Sequence, residues 1–320
     1  MDYESRTSRI RNNDWNLWRP ELRAPQNYPF AKKLVRPANE LTWRQDLECE
    51  NPECPFRSPL RKFLLRRSNQ GVLLQGHWYC SLDCFEQAIT GVFTELIKLP
   101  DEPLQRDHRV PLGLLLLGRG VISEEELKIA LRAQREEGGL RLGRLMIRLG
   151  IASSQDVSTA LAAQWGCAVF PLERDQRFRD CSHLIPLALQ ESSRMLPVHY
   201  HAEGRWLFLG FSEDIDHTAV YAIERLLDSR TEPCVVSEAA MARAMDEIRE
   251  TSRPGEIVFE TLWNAPEMAR TIRDYAVKLG AEELLLARPR RFLWVRLRAS
   301  GRAWDLLFRL PPALIPRIDG

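Results

Sequence analysis

Apolar and polar positions change rhythm several times along this 320-residue chain. Residues 1–45 hold no sustained period, are polar and contain proline, and read as a poorly ordered arm. Trp15, Trp18 and Trp43 are unusual in such a segment; they fit local packing on this chain or docking on a partner. After Ser81, a plausible N-cap, Phe85, Ala88 and Phe93 mark an amphipathic helix. Residues 109–171 are helical, with Leu127, Leu131 and Gln134 on one face and Val157, Leu161 and Gln164 on another. Residues 183–250 alternate strand and helix signals. A strand at Trp206-Leu207-Phe208-Leu209 leads through the turn SEDIDH into a helix from about Thr218 to Leu227. A short strand at Cys234-Val235-Val236 and a helix capped by Ser237, to about Arg249, complete this part. TSRPGE, residues 251–256, reads as a linker. Beyond it lie one helix, about Ala265 to Leu279, and two strands, about Phe292 to Leu297 and Trp304 to Phe308.

The length suits two or three domains at roughly 100–200 residues each. Forty-five Lys and Arg against 44 Asp and Glu give a net charge of +1, which excludes a globally basic nucleic-acid coat or an acidic tail protein. Hydrophobic residues at 44% and charged residues at 28% fit a soluble globular chain, and no apolar run reaches the span of a membrane helix. The N-terminus lacks the apolar core of a signal peptide, and seven cysteines are too few, and odd in number, for a disulfide scaffold. A reducing, cytoplasmic setting is expected.

Four cysteines form two close pairs, Cys49-x4-Cys54 and Cys80-x3-Cys84. Zinc takes four thiolates in a tetrahedron, and two pairs on two turns can supply them. The second pair opens the helix after Ser81, where the helix N-terminus favours thiolate. This segment resembles the treble-clef zinc fingers, in which a Tyr-Cys-Ser-x-x-Cys stretch runs into a helix; here it is Tyr79-Cys80-Ser81 to Cys84. The resemblance implies a structural Zn2+ on Cys49, Cys54, Cys80 and Cys84. The first pair is wider than usual, and His77 is a spare ligand. Cys167, Cys181 and Cys234 are isolated and read as small buried hydrophobes.

Residues 111–134 repeat at 141–164, an offset of 30, with nine of 24 positions identical. They are the pairs Leu112/Leu142, Gly113/Gly143, Leu115/Leu145, Gly120/Gly150, Ser123/Ser153, Ala130/Ala160, Leu131/Leu161, Ala133/Ala163 and Gln134/Gln164. Each copy reads as a short apolar helix stopped by glycine, then a second helix opened by a capping box, Ser123-x-x-Glu126 or Ser153-x-x-Asp156. A glutamine closing an apolar stripe twice must find partners, either a ligand or neighbouring backbone.

The repeat resembles the MshEN-type, cyclic di-GMP-binding N-terminal region of the type II secretion and type IV pilus assembly ATPases, the GspE/PilB family. That family carries two copies of an Arg-Leu-Gly…Gly…Leu…Leu…Gln motif. The second copy here, Arg141-Leu142-Gly143 through Gln164, follows it, with Met146 and Val157 as conservative departures. The first has Pro111 in place of the arginine, with Arg109 two residues away, and the spacer is one residue longer than usual. The resemblance implies cyclic di-GMP as ligand, with contacts from Leu112, Gly113, Leu116, Leu127, Leu131 and Gln134 in the first copy. In the second it implies Arg141, Leu142, Gly143, Met146, Val157, Leu161 and Gln164. It extends weakly to a PAS-like subdomain, through Gly280 to Pro289 and Val295-Arg296-Leu297-Arg298 with Gly301. The polar Ser, His and Glu of that family stretch are replaced here.

No glycine is followed by lysine, so no P-loop is present, and no ATPase or other enzymatic activity is expected. No zincin motif, nucleophile elbow or catalytic carboxylate pair stands out; His199 and His201 alternate on a strand and read as surface or core residues. The expected fold is multidomain α+β. It comprises the arm (1–45), a small four-cysteine zinc module (46–98), a helical tandem-repeat domain with an α/β layer (109–250), and a degenerate PAS-like α/β subdomain (257–320). The expected function is a non-catalytic cyclic di-GMP-binding regulator or adaptor whose partners are secretion or pilus machinery. A ligand-free scaffold of the same fold is the first alternative. The second is a zinc-dependent nucleic-acid regulator, since residues 1–72 carry 14 Lys/Arg against 9 Asp/Glu and Arg61, Lys62, Arg66 and Arg67 cluster.

Overall fold

A two-residue turn, Gln75-Gly76, with φ of 52° and 82°, joins β1 (Val72–Leu74) to β2 (His77–Tyr79). Positive φ at both positions gives the backbone twist that a tight hairpin needs. This is a computed structural model; it describes residues 48–55, 71–98, 109–251, 255–261 and 264–310. The tryptophan-bearing arm and the Arg61–Arg67 cluster lie outside the described residues.

From the hairpin the chain enters α1 (Leu82–Lys98), where the Ser81 hydroxyl accepts from the Cys84 N–H at 3.2 Å. The repeat follows as four helices: α2 (Leu112–Gly118), α3 (Glu124–Glu137), α4 (Leu142–Arg148) and α5 (Ser154–Trp165). Next come β3 (Ala168–Val169), α6 (Phe178–Cys181), α7 (Leu187–Ser193), β4 (Met195–His201), β5 (Trp206–Phe211), α8 (His217–Leu227), β6 (Arg230–Val235) and α9 (Glu238–Arg249). The last part holds β7 (Glu256–Phe259), α10 (Ala265–Leu279), β8 (Glu283–Ala287), β9 (Phe292–Ala299) and β10 (Arg302–Arg309). No helix among the described residues is long and apolar enough to cross a membrane.

Two sheets organise these elements. The four-stranded sheet has the order β3-β6-β5-β4, and the six-stranded sheet the order β2-β1-β8-β9-β10-β7. In the second, β1 lies parallel to β8, placing Leu73 opposite Glu283 and Leu74 opposite Leu284. The cysteine segment and the C-terminal segment, read separately from the sequence, thus share one sheet. Successive side chains of a strand face opposite sides, and this sheet is buried on both. Leu293, Val295 and Leu297 of β9, with Leu306 and Phe308 of β10, pack with Phe85, Ile89 and Phe93 of α1 and Met268 and Ile272 of α10. Phe292, Trp294, Leu285 and Leu307 face the other way, onto Leu207, Leu209, Ile223 and Leu226 of the four-stranded part.

Polar contacts tie the same two layers. The Glu256 carboxylate accepts from the first free N–H groups of α7, Leu187 at 2.9 Å and Ala188 at 3.1 Å, as an acid at a helix N-terminus should. Buried Arg296 pairs through two bonds of 2.7 Å with Asp305, and also donates to the Leu184 carbonyl at 2.9 Å. The Trp294 indole N–H donates to the same Asp305 carboxylate at 2.7 Å.

Four elements differ from the sequence expectation, the first being β3, a strand inside the span 109–171 that reads as helical. β8 is not among the expected strands. Its Glu-Leu-Leu-Leu-Ala run has no period, and a short apolar run is equally a helix segment; burial between β1 and β9 decides for strand. β7 begins inside the expected linker. β6 starts at Arg230, upstream of Pro233, because β3 reaches only Cys234 and Val235; Pro233 sits where the strand has one partner, opposite Leu209.

Candidate functional site

In each copy of the repeat the first helix ends in the same way. The Gly120 N–H donates to the Leu117 carbonyl at 2.9 Å and the Val121 N–H to that of Leu116 at 3.0 Å; Gly150 and Ile151 repeat this on Ile147 and Met146 at 3.1 and 2.9 Å. Both glycines have positive φ, 68° and 71°, the left-handed stop that favours glycine. Both capping boxes are complete, with Ser123 and Glu126, and Ser153 and Asp156, bonding each other's backbone N–H.

Packing between the copies is crossed. α2 lies on α5, and α3 on α4. A Cβ placed on Gly113 would meet Leu127 at 2.6 Å and Leu142 at 3.3 Å; one on Gly143 would meet Val157 at 2.9 Å and Leu112 at 3.1 Å. The two sets are the same positions exchanged by the offset of 30. The glutamines obey the same exchange: Gln134 Nε2 donates to the Leu140 carbonyl at 2.9 Å, and Gln164 Nε2 to the Val110 carbonyl at 2.6 Å. Each glutamine amide therefore grips the residue just ahead of the other copy's motif. The repeat is a local pseudo-two-fold.

The thirteen positions expected at a ligand fall into two groups. Leu116, Met146 and Val157, with Gly113 and Gly143, are buried in the repeat's own core, which Leu112, Leu127, Leu142 and Leu161 border. Gln134 and Gln164 are half-buried, and Leu131 and Arg141 are exposed. Val110 and Leu114 are further exposed apolar side chains on this domain.

The turn after β5 supplies residues that the sequence reading passed over. Arg141 donates from Nη1 to the Glu213 backbone carbonyl at 3.0 Å, and its Nε lies 3.2 Å from that residue's carboxylate, which Arg194 also pairs with. Arg109 lies 4.0 Å from Asp214. The arginine of the second motif and the one two residues before Pro111 thus converge on adjacent carboxylates. The acid run in SEDIDH was the only signal for this, and it named no partner.

The second candidate is the cysteine cluster. Cys49, Cys54, Cys80 and Cys84 are buried, and their sulfurs all lie within 4.8 Å of one another. Cys54 and Cys80 sulfurs are 3.4 Å apart, and all four thiols are free. Zinc–thiolate bonds of about 2.3 Å put sulfurs of a tetrahedron about 3.8 Å apart, so the donor set fits a zinc ion with small adjustment. The Cys80 N–H donates to Cys49 Sγ at 3.5 Å, and the Glu50 N–H to the Trp78 carbonyl at 2.9 Å, which fasten the first pair's loop to β2. Burial pushes the Cys80 thiol well above its ordinary value, and the neighbouring Cys54 and Cys49 add to the rise. A bound cation reverses that penalty. His77 stands apart from the quartet, 3.8 Å from Glu50.

Elsewhere, burial lifts the thiols of Cys167 and Cys181 to about 11 and about 12. His199 stacks on Phe208, and burial, then Arg177, lowers its pKa. His201 Nδ1 accepts from the Gly204 N–H at 3.1 Å. Among the described residues only the cysteine quartet gathers ligands of this kind.

No protein-family model matches the sequence, and no curated protein matches it. Among solved structures the chain is similar to MshE with cdg (cyclic di-GMP), at 31% identity over 43% of this chain and 99% of that one, with a TM-score of 0.38. It is also similar to the N-terminal domain of XpsE in two crystal forms, at 20% identity over 45% of this chain and 97% and 98% of those. The TM-scores are 0.32 and 0.25.

Proposed function

We propose that residues 109–250 form a cyclic di-GMP receptor, of the type that precedes the motor of secretion and pilus ATPases. In this reading the whole chain is a non-catalytic regulator or adaptor of a type II secretion or type IV pilus system. The observation that carries it is the crossed pair Gln134–Leu140 and Gln164–Val110. A ligand made of two equal nucleotide halves calls for two equal half-sites about a two-fold, and the repeat has that symmetry in its packing and in its polar contacts.

The roles follow from chemistry. Arg141 is exposed and can offer a planar fork to a phosphate, and Arg109 stands in for the arginine that Pro111 replaces. Leu131, and the half-buried Leu112, Leu127, Leu142 and Leu161, offer apolar surface to guanine faces. Gly113 and Gly143 are buried, and the space a Cβ would fill is taken by Leu127 and Leu142 at the one and by Val157 and Leu112 at the other, so in this reading their part is to let the helices of the two half-sites pack closely. Buried Leu116, Met146 and Val157 hold the half-sites in shape. One charge-assisted contact is worth about 1.5–3 kcal/mol, so loss of Arg141 should weaken binding roughly ten- to a hundredfold. Cys49, Cys54, Cys80 and Cys84 hold one structural zinc ion in the same reading; four thiolates leave no open position for catalysis.

Calorimetric titration of zinc-loaded protein with cyclic di-GMP, beside GTP and cyclic di-AMP, tests this. Selective micromolar or tighter binding, weakened roughly ten- to a hundredfold in Arg141→Ala and weakened also in Gln164→Ala, is the expected result. One feature favours a second reading, a scaffold of the same fold without ligand. Both glutamine amides and Arg141 already have partners within the chain. Absence of heat at high ligand concentration would select it.

A further inference from the structure

The β1–β2 hairpin has three residues per strand, too little to hold itself in water. It is fastened at both ends. At its open end lies the cysteine quartet, with Cys80 directly after Tyr79 of β2. At its turn lies Gln75, a residue other than glycine in the left-handed region, φ 52°. Asparagine is the usual choice for such a position. The longer side chain of glutamine instead spans two other elements. Gln75 Nε2 donates to the Leu286 carbonyl of β8 at 3.3 Å, and Gln75 Oε1 accepts from Arg225 Nη2 of α8 at 2.8 Å. Its backbone N–H donates to the Leu284 carbonyl at 2.8 Å. One strained turn residue therefore joins the six-stranded sheet to the helix that follows the 213–216 turn. Strain of this kind persists where surrounding contacts impose it.

We propose that the four-cysteine site is a metal-operated clasp. With Zn2+ bound, the hairpin is held in register with β8 and Gln75 ties Arg225 of α8 to that sheet; without metal, hairpin and tie are released. The proposal rests on the zinc reading above. Its physical basis is linkage. A site that exists only in the folded hairpin stabilises that hairpin by its own binding free energy. Whatever the hairpin holds is stabilised with it. Other contacts keep α8 on the sheet, among them Arg298 Nη2 to the Leu226 carbonyl at 3.0 Å, so release is local.

The test uses the full chain, with zinc measured by metal analysis and backbone protection by hydrogen exchange. The expected result is about one zinc per chain. Removing it with a chelator should speed exchange at least about tenfold in residues 72–79 and about three- to tenfold in 217–227, while 142–165 stays unchanged. Gln75→Ala should keep its zinc and speed exchange in 217–227 and 283–287 only. A chain that takes up neither zinc nor cadmium overturns the zinc reading and the clasp with it. Stoichiometric zinc whose removal leaves 217–227 unchanged overturns the clasp alone. Should chelation loosen the whole chain, Gln75→Ala decides, since it leaves the thiols intact. Zinc-loaded Gln75→Ala with normal exchange in 217–227 overturns the clasp.

Discussion

Gln164 reaches back 54 residues to donate its side-chain amide to the Val110 carbonyl, at 2.6 Å. With Gln134 doing the same for Leu140, the repeat is closed by two equivalent stitches. Gln164→Ala should lower the stability of the repeat by about 0.5–1.5 kcal/mol, the net worth of such a bond, and Gln134→Ala by a similar amount. Urea unfolding checks this; a cost for only one of the two would contradict the pseudo-symmetry.

The two motif glycines should differ in tolerance. A Cβ on Gly113 meets the far end of Leu127, which can rotate away. On Gly143 it meets a branch methyl of Val157, which is fixed close to the backbone. Alanine gains about 1 kcal/mol over glycine in a helix. Gly113→Ala should therefore be near neutral, and Gly143→Ala should cost about 1–2 kcal/mol from overpacking. Equal melting temperatures for both variants would sink the distinction.

The repeat should be acid-sensitive. Bonds from the Ser123 backbone and hydroxyl hold the Glu126 carboxyl below its usual 4.5, and those from the Ser153 hydroxyl and backbone hold Asp156 below 3.8. A depressed folded pKa means that the contribution is complete above the unfolded value and is lost as pH falls through the folded one. Helix content in 123–137 and 153–165 should weaken on acidification below about pH 4. Glu126→Gln with Asp156→Asn should flatten that dependence, read by circular dichroism against pH.

In the six-stranded sheet, Asp305 of β10 is the partner of both Trp294 and Arg296 of β9. Asp305→Ala leaves a buried guanidinium without its counter-ion and should cost about 3–5 kcal/mol. Replacing Arg296 and Asp305 together by apolar residues should recover much of that loss. Denaturant titration of the single and double variants distinguishes the two.

What was legible in the sequence was local. Ser123-x-x-Glu126, Gly120 and their copies each act within one turn of chain, so spacing alone identifies them. Two close cysteine pairs likewise needed only a hairpin to meet. β8 was hidden because leucine runs lack a period and its strand character comes from β1 and β9 on either side. Glu213 was hidden for a related reason: a carboxylate in a turn does not reveal which arginine will reach it. The exchange of partners between the copies could not be read either, since identical motifs are equally compatible with packing side by side or crosswise.

The pairing of β1 with β8 also bears on how the chain is made. Gln75 and Leu286 are 211 positions apart. At about 5–20 residues per second, a ribosome needs roughly 10–40 s to deliver the second after the first. Throughout that interval the apolar side of the hairpin and of α1, with Val72, Leu74, Phe85, Ile89 and Phe93, has no sheet to lie on. Until then the nascent segment 72–98 carries this apolar side uncovered by its sheet.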